Sequence, residues 1–246
     1  MIQPVTLDLF LSPTDAARLT RVLEKLALHG LHNFALTGSV AIEMNLISQD
    51  HAHQTNDLSD LDIVVESFGS IPATLATSNF LLRHIHPHAP EGKMLLQLID
   101  PDEALRIDVF SPYGATLART EPARLGNHHV QVVSAEDLAC RAASLLMYLE
   151  RASPVPIKHA QNFHRLASVV NHERIENVWR EHRKPSDPVT FKEASARIFD
   201  LVHEQKALLV VPSYSQDATA VCPKCEETSA FRLASPAKIL SILGYC

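Results

Sequence analysis

Glycine is scarce in this sequence, 7 residues of 246 against 15 prolines. That scarcity argues against a glycine-rich nucleotide cradle and against flexible linkers. Long apolar runs are missing too: no stretch approaches the roughly 18 uninterrupted residues that a membrane span requires, so no membrane partner is expected. Cysteine is limited to four residues, two of them in one CxxC, which makes no disulfide framework. The opening MIQPVTLDLFL lacks the basic flank and small-residue cleavage site of a secretory signal. A cytoplasmic protein is the expectation. Positive charge is short as well: the formal net charge is -6, and the 14 histidines add to it only below neutrality. Such a chain has no global attraction for nucleic acid, so any contact with RNA or DNA has to be a local patch. The acidic balance also suits a site that gathers Mg²⁺.

What is present is ordinary for a globular core, with 46% hydrophobic and 20% charged residues. Ser12-Pro13-Thr14-Asp15 predicts a helix start, with a serine cap, a proline at the first helical position and an acid where a capping box wants one. Ala16, Leu19, Val22, Leu23 and Leu26 follow at helical spacing until Gly30. Phe34 to Leu36 reads as a short strand, Gly38-Ser39 as a turn and Val40 to Leu46 as a second helix. Residues 48 to 59 read as a polar loop. Strands are expected over 61–65, 80–85, 94–99, 104–110 and 129–133, with a short helix at 72–78 and a hairpin connection at 87–93. From Ser134 the pattern turns helical, over 135–150, 157–171, 173–183 and 190–205. The expected architecture is an α/β (α+β) domain with a mixed sheet over residues 1–133, a helical domain over 134–207 and an irregular tail over 208–246.

Three pieces of the first half carry chemistry. The strand–Gly38-Ser39–helix unit lets the backbone approach a ligand and offers helix N–H groups to an anion. Asp60 and Asp62 lie two apart in a strand and so project from one face. Two carboxylates that close repel unless a cation sits between them, which favours a hard, oxygen-loving metal. Asp108 is one acid in the apolar run Arg106-Ile107-Asp108-Val109-Phe110, placed to complete a three-carboxylate cluster. Taken singly, each signal has a plainer reading: a tight turn, a solvated strand entry, and an acid paired with Arg106 or Arg83. Lys158 taken singly reads as a solvated helix residue.

Together, these residues resemble the nucleotidyltransferase superfamily, the group with the DNA polymerase β-like fold, and within it the minimal and abortive-infection toxin-type branches. The resemblance implies a role for each residue. Gly38 and Ser39 would hold a nucleoside triphosphate such as ATP, and Lys158, on a later helix, would reach its phosphates. Asp60 and Asp62 would bind two Mg²⁺ ions. Asp108 would bind one of them and help to deprotonate an acceptor hydroxyl, so that a nucleoside monophosphate is transferred and pyrophosphate leaves. The implied acceptor is an RNA or tRNA 3′ end, with a protein side chain or a small molecule such as an antibiotic as alternatives. A non-catalytic nucleotide-binding module of the same fold is a further reading. A partner protein of the toxin–antitoxin kind is implied as well.

Other features carry less. Cys222-Pro223-Lys224-Cys225 is half of a zinc knuckle without its second pair, so structural Zn²⁺ at Cys222 and Cys225 is the lesser reading. His51, His53, His84, His86 and His88 show no closed ligand geometry and read as polar loop and strand-edge residues. Trp179 reads as core. The basic residues Arg174, Arg180, Arg183 and Lys184 cluster on and after one helix, and Lys158 and Arg165 share a face of another. They are the candidates for a nucleic-acid patch.

Overall fold

Ser12 opens the first helix as its residue type dictates: its hydroxyl accepts from the Asp15 amide at 3.1 Å, with Pro13 at the first helical position. The structure, a computed structural model, describes residues 5–55, 57–75, 80–85 and 91–211. The Cys222/Cys225 pair, the connection expected over 87–93 for most of its length, the end of the helix expected at 72–78, and His86 and His88 lie outside the described residues.

Helix α1 (Pro13–Leu28) buries Leu19, Val22, Leu23 and Leu26 as one stripe. After it come β1 (Phe34–Leu36), α2 (Gly38–Ser48) and β2 (Asp60–Val65). Next are β3 (Leu81–Ile85), β4 (Met94–Asp100), β5 (Leu105–Phe110), β6 (Glu121–Leu125) and β7 (His128–Val132). The seven strands form one mixed sheet in the order β3-β4-β5-β2-β1-β7-β6. The pairs β2–β5 and β1–β7 are parallel, and the other neighbours run antiparallel. The fold is therefore the expected α/β class with a mixed sheet, followed by helices.

The centre of the sheet is apolar because β2 and β5 carry β-branched and aliphatic residues. Leu61, Ile63, Val65 and Ile107 are fully buried, and Val109 nearly so. Ion pairs fasten α1 to the β4–β5 hairpin: Arg21 reaches Glu103, and Lys25 reaches Asp100 at 3.0 Å and Asp102 at 2.7 Å.

Helices α3 (Ala135–Leu146), α4 (Ile157–Ala167), α5 (His172–His182) and α6 (Phe191–Glu204) follow the sheet, with α3 packed against the other three. Trp179 is fully buried in α5 and donates its indole N–H to the Pro188 carbonyl at 2.9 Å, which confirms it as core. A two-stranded parallel ladder of β8 (Val155–Pro156) and β9 (Leu209–Val210) ties the end of this region to the start of α4. Helix α2 is buried almost all round and touches β2, α3 and α4, so it is the element shared by the sheet and the helices.

Three local expectations are corrected. Gly38 and Ser39 are the first two residues of α2 rather than a separate turn, because Gly38 takes a left-handed φ of +64° and lets the helix begin at once. A further strand lies at 121–125, where the sequence predicts none: Glu121-Pro122-Ala123-Arg124-Leu125 pairs along its length with β7 and bridges Val5 at Leu125, at the edge of the sheet, where a proline and charges are tolerated. The helix expected over 135–150 stops at Leu146 and continues as a 3₁₀ turn through Arg151.

Candidate active site

The parallel register of β2 and β5 builds the centre. Asp62 lies opposite Asp108, and Asp60 lies opposite Arg106. Neighbouring strands are about 4.8 Å apart, and the two-residue period puts Asp60 and Asp62 on one face. Oxygens of Asp60, Asp62 and Asp108 accordingly fall within 4.8 Å of one another. One strand further out, Gln97 on β4 sits in register with Asp108 and donates to its Oδ1 at 2.7 Å. The Arg106 guanidinium hydrogen-bonds Asp60 and lies 3.3 Å from Asp108 Oδ1 through its Nε.

This crowding has an electrostatic consequence. Burial first, and then the charges of Asp60 and Asp108, push the Asp62 carboxyl up to about 7, while Lys158 and Arg141 pull the other way. Three acids this close hold their full charge best with a cation among them. The donor set is all oxygen, which fits a hard divalent ion such as Mg²⁺.

The backbone beside the acids is equally specific. The Thr37 amide donates to the Asp62 carbonyl at 3.0 Å, which brings the start of α2 against β2. A Cβ on Gly38 would run into the Asp62 carboxylate. Glycine is required there on two counts, its φ and its contact.

A cavity of about 570 Å³ opens over the cluster. Its lining includes Gly38, Ser39, Asp60, Asp62, Asp108 and Lys158, so the structure brings all six sequence candidates to one place. The first turn of α2 forms one wall; Leu138, Arg141 and Leu145 of α3 and Lys158, His159 and Asn162 of α4 form another. Gln54, Asp57 and Ser59 of the polar loop close the rim. Arg165 also lines the cavity, but its guanidinium makes two bonds, at 2.7 and 2.6 Å, to the buried Glu43 of α2. The Gln54 amide donates to the same carboxylate at 3.0 Å, so one buried acid fastens helix, helix and loop. His51 and His53 are exposed on that loop.

Sequence reasoning missed several lining residues. Arg141 donates to the Gly92 carbonyl at 2.8 Å and lies 5.1 Å from the centre of the Phe110 ring. Burial lowers its pKa, and the Asp62 charge opposes that shift. His159 is pushed down to about 4 by burial and then by Lys158 and Arg141, so its imidazole is neutral at pH 7. The signal for Arg141 was the one charge in the otherwise uncharged run LACRAASLL. Gln97 was likewise one polar residue in MLLQLI, the same kind of interruption that singled out Asp108.

No protein-family model matches the chain, and no curated protein does. Among solved structures it is similar to the antibiotic-resistance factor ANT(2'')-Ia in solution, with a TM-score of 0.47 and 14% identity over 78% of this chain and 98% of that one. It is also similar to ANT(2'')-Ia in complex with adenylyl-2''-tobramycin, with a TM-score of 0.42 and 13% identity over 69% of this chain and 97% of that one. A third similar structure is an antigenic nucleotidyltransferase-like protein from Paracoccidioides brasiliensis, with a TM-score of 0.44 and 16% identity over 88% and 99% of the two chains. The chemistry has to be argued from the side chains.

Proposed function

We propose that this chain is a nucleotidyltransferase that moves a nucleoside monophosphate from a nucleoside triphosphate to an acceptor hydroxyl, with Mg²⁺ as its metal. The observation that carries the proposal is the convergence of Asp60, Asp62 and Asp108 at the floor of a cavity whose far wall carries Arg141 and Lys158. Acids and cations lining one cavity suit a ligand that is itself a metal-bearing polyanion. Asp60, Asp62 and Asp108 would hold two Mg²⁺ ions, which when bound would supply charge neutralisation at the attacking and leaving oxygens. Gly38 and Ser39 would present the free N–H groups of the α2 N-terminus to the triphosphate, and Lys158 would face it from α4. Asp108, which accepts from Gln97, would help to deprotonate the acceptor hydroxyl. The acceptor we favour is an RNA 3′ end such as that of tRNA. The domain division is part of the same proposal: the sheet with residues 1–133 would supply the acids, and residues 134–207 would supply the cationic wall.

The test is incubation with each of four α-labelled triphosphates, Mg²⁺, total cell RNA and lysate, followed by identification of the labelled molecule. Asp60→Ala and Asp62→Ala should each lower transfer by about 10³-fold, the equivalent of several kcal/mol of charge stabilisation, and leave the circular dichroism spectrum unchanged. Near-normal transfer in either variant would sink the metal assignment. Asp108→Asn should still bind Mg²⁺-triphosphate in calorimetry while failing in transfer. Loss of binding as complete as in Asp62→Ala would remove its separate role.

A further inference from the structure

Tyr148, in the 3₁₀ turn after α3, collects cations. Lys184 Nζ stands 3.7 Å from its ring centre and Arg151 Cζ stands 5.6 Å from it. Lys184 foremost, helped by the charges of Lys93 and Arg151, holds the phenol below its ordinary range. A cation held on an aromatic face is ordered without being neutralised, unlike one held by a carboxylate. Among the described residues, Lys93, Arg151 and Lys184 form no salt bridge; Arg151 donates only to the Ser186 hydroxyl, at 3.3 Å. The acids nearest in sequence bond groups other than these three side chains. Glu150 pairs with Arg197, Asp187 accepts from the Lys184 backbone amide, Glu181 pairs with Arg119, and Glu91 accepts from the Gly114 amide.

The cluster borders the cavity along two independent paths. Arg141, which lines the cavity, bonds the Gly92 carbonyl, and Lys93 is the next residue. Leu145 also lines the cavity, and Tyr148 follows it by one turn. Of the basic residues that the sequence offered as a patch, Arg174, Arg180, Arg183 and Lys184 do not line the cavity, whereas Lys158 and Arg165 do. Lys184 therefore contributes through Tyr148, in company with two cations that the sequence did not link to it.

We propose that Arg151 and Lys184 on Tyr148, one helical turn beyond the cavity-lining Leu145, together with Lys93, form a binding patch for the phosphates of a single-stranded nucleic acid whose end enters the cavity as acceptor. The inference rests on the nucleotidyltransferase reading for the word acceptor, but the patch itself is independent of it. In a chain of net charge -6, three cations whose side chains form no ion pair among the described residues, two of them ordered on one ring, are the local electrostatic feature that a polyanion needs. Tyr148 is a positioning residue, acting through the two cations on its ring.

The experiment uses the full chain in EDTA without triphosphate, so that binding is read apart from transfer. Fluorescence anisotropy follows a labelled 12-nucleotide RNA, a DNA of the same sequence and an acidic peptide over a KCl series. Wild type should bind RNA, DNA or both with an affinity that falls with salt; the arm that binds more tightly names the acceptor. The combined Lys93→Gln, Arg151→Gln, Lys184→Gln variant should bind at least about ten-fold more weakly at low salt, with a salt slope shallower by about 2, near 0.7 per cation removed. Should that variant not fold, Lys93→Gln alone, at an exposed position, should flatten the slope by about 0.7. Tyr148→Leu should weaken binding several-fold and Tyr148→Phe restore most of it, a split that a merely structural role would not produce. Absence of nucleic-acid binding, an unchanged slope in the variants, or an acidic peptide that binds as tightly overturns the patch. Transfer of label to a protein or small molecule by a chain that binds no nucleic acid overturns the patch and leaves the proposed chemistry standing. Binding through the patch with no transfer to any acceptor does the reverse.

Discussion

Asp62 and Asp137 are both withdrawn from water, yet their carboxyls move in opposite directions. Asp62 faces two other acids and is pushed up to about 7. Asp137 pays the same desolvation, but Arg119, His182 and Ser134 outweigh it and hold its carboxyl well below the usual range. Arg119 donates to it through two nitrogens at 2.8 Å, Ser134 at 2.8 Å and Thr116 at 3.0 Å. These bonds tie the turn at Thr116–Arg119 to α3 and α5. A carboxyl whose folded pKa is depressed contributes stability that is present above its unfolded pKa, about 3.9, and is lost as pH falls through the folded value. Chemical denaturation at pH 7 should therefore find Asp137→Asn less stable by about 3–5 kcal/mol, the cost of breaking a buried pair. Between pH 4 and pH 2 the wild type should lose stability more steeply than the variant. Parallel pH profiles for the two proteins would show that Asp137 is not the linked group.

At the scale of elements, α2 holds the site together. Glu43 near its middle binds Arg165 of α4 and the Gln54 amide of the loop. Glu43→Gln should destabilise the fold by about 3–5 kcal/mol by leaving Arg165 without its counter-charge. It should also speed proteolytic nicking between residues 49 and 59 at a given temperature. Unchanged nicking would mean that the loop is held by something other than Glu43. Most elements around the site were legible because their signals are local: the Ser12 and Ser134 caps, the apolar stripe of α1, the run Leu61–Val65. The acids were legible because each interrupts such a run. Strand β6 was not, since Glu121–Leu125 carries a proline and two charges and becomes a strand through its tertiary pairing, chiefly with β7. Arg141 was hidden for another reason. A lone helix cation reads as solvated, and only the tertiary placement of α3, which brings Arg141 to the Gly92 carbonyl and the cavity, turns it inward.

For the whole molecule, the sheet and the helices meet over a shared cavity, so a ligand that spans it should be felt by both. At one hundred times its dissociation constant, Mg²⁺-triphosphate should raise unfolding stability by about 2.7 kcal/mol, which is about 5–10 °C in Tm for a chain of this size. Differential scanning calorimetry reads this directly, and no shift in wild type at saturating ligand would contradict the placement of the triphosphate. Asp62→Ala should show little or none of the gain.

The Arg106 guanidinium, lying against Asp60 and within 3.3 Å of Asp108, means that the acids are never bare. Loading the site is then an exchange of one cation for another. An incoming divalent ion raises the local charge by less than its own two units, and it has to displace a contact already made. Under the proposed function such a centre would discriminate against stray ions at low concentration and yield to one that arrives with its own polyanion, because the freed guanidinium would then have phosphate oxygens to turn to.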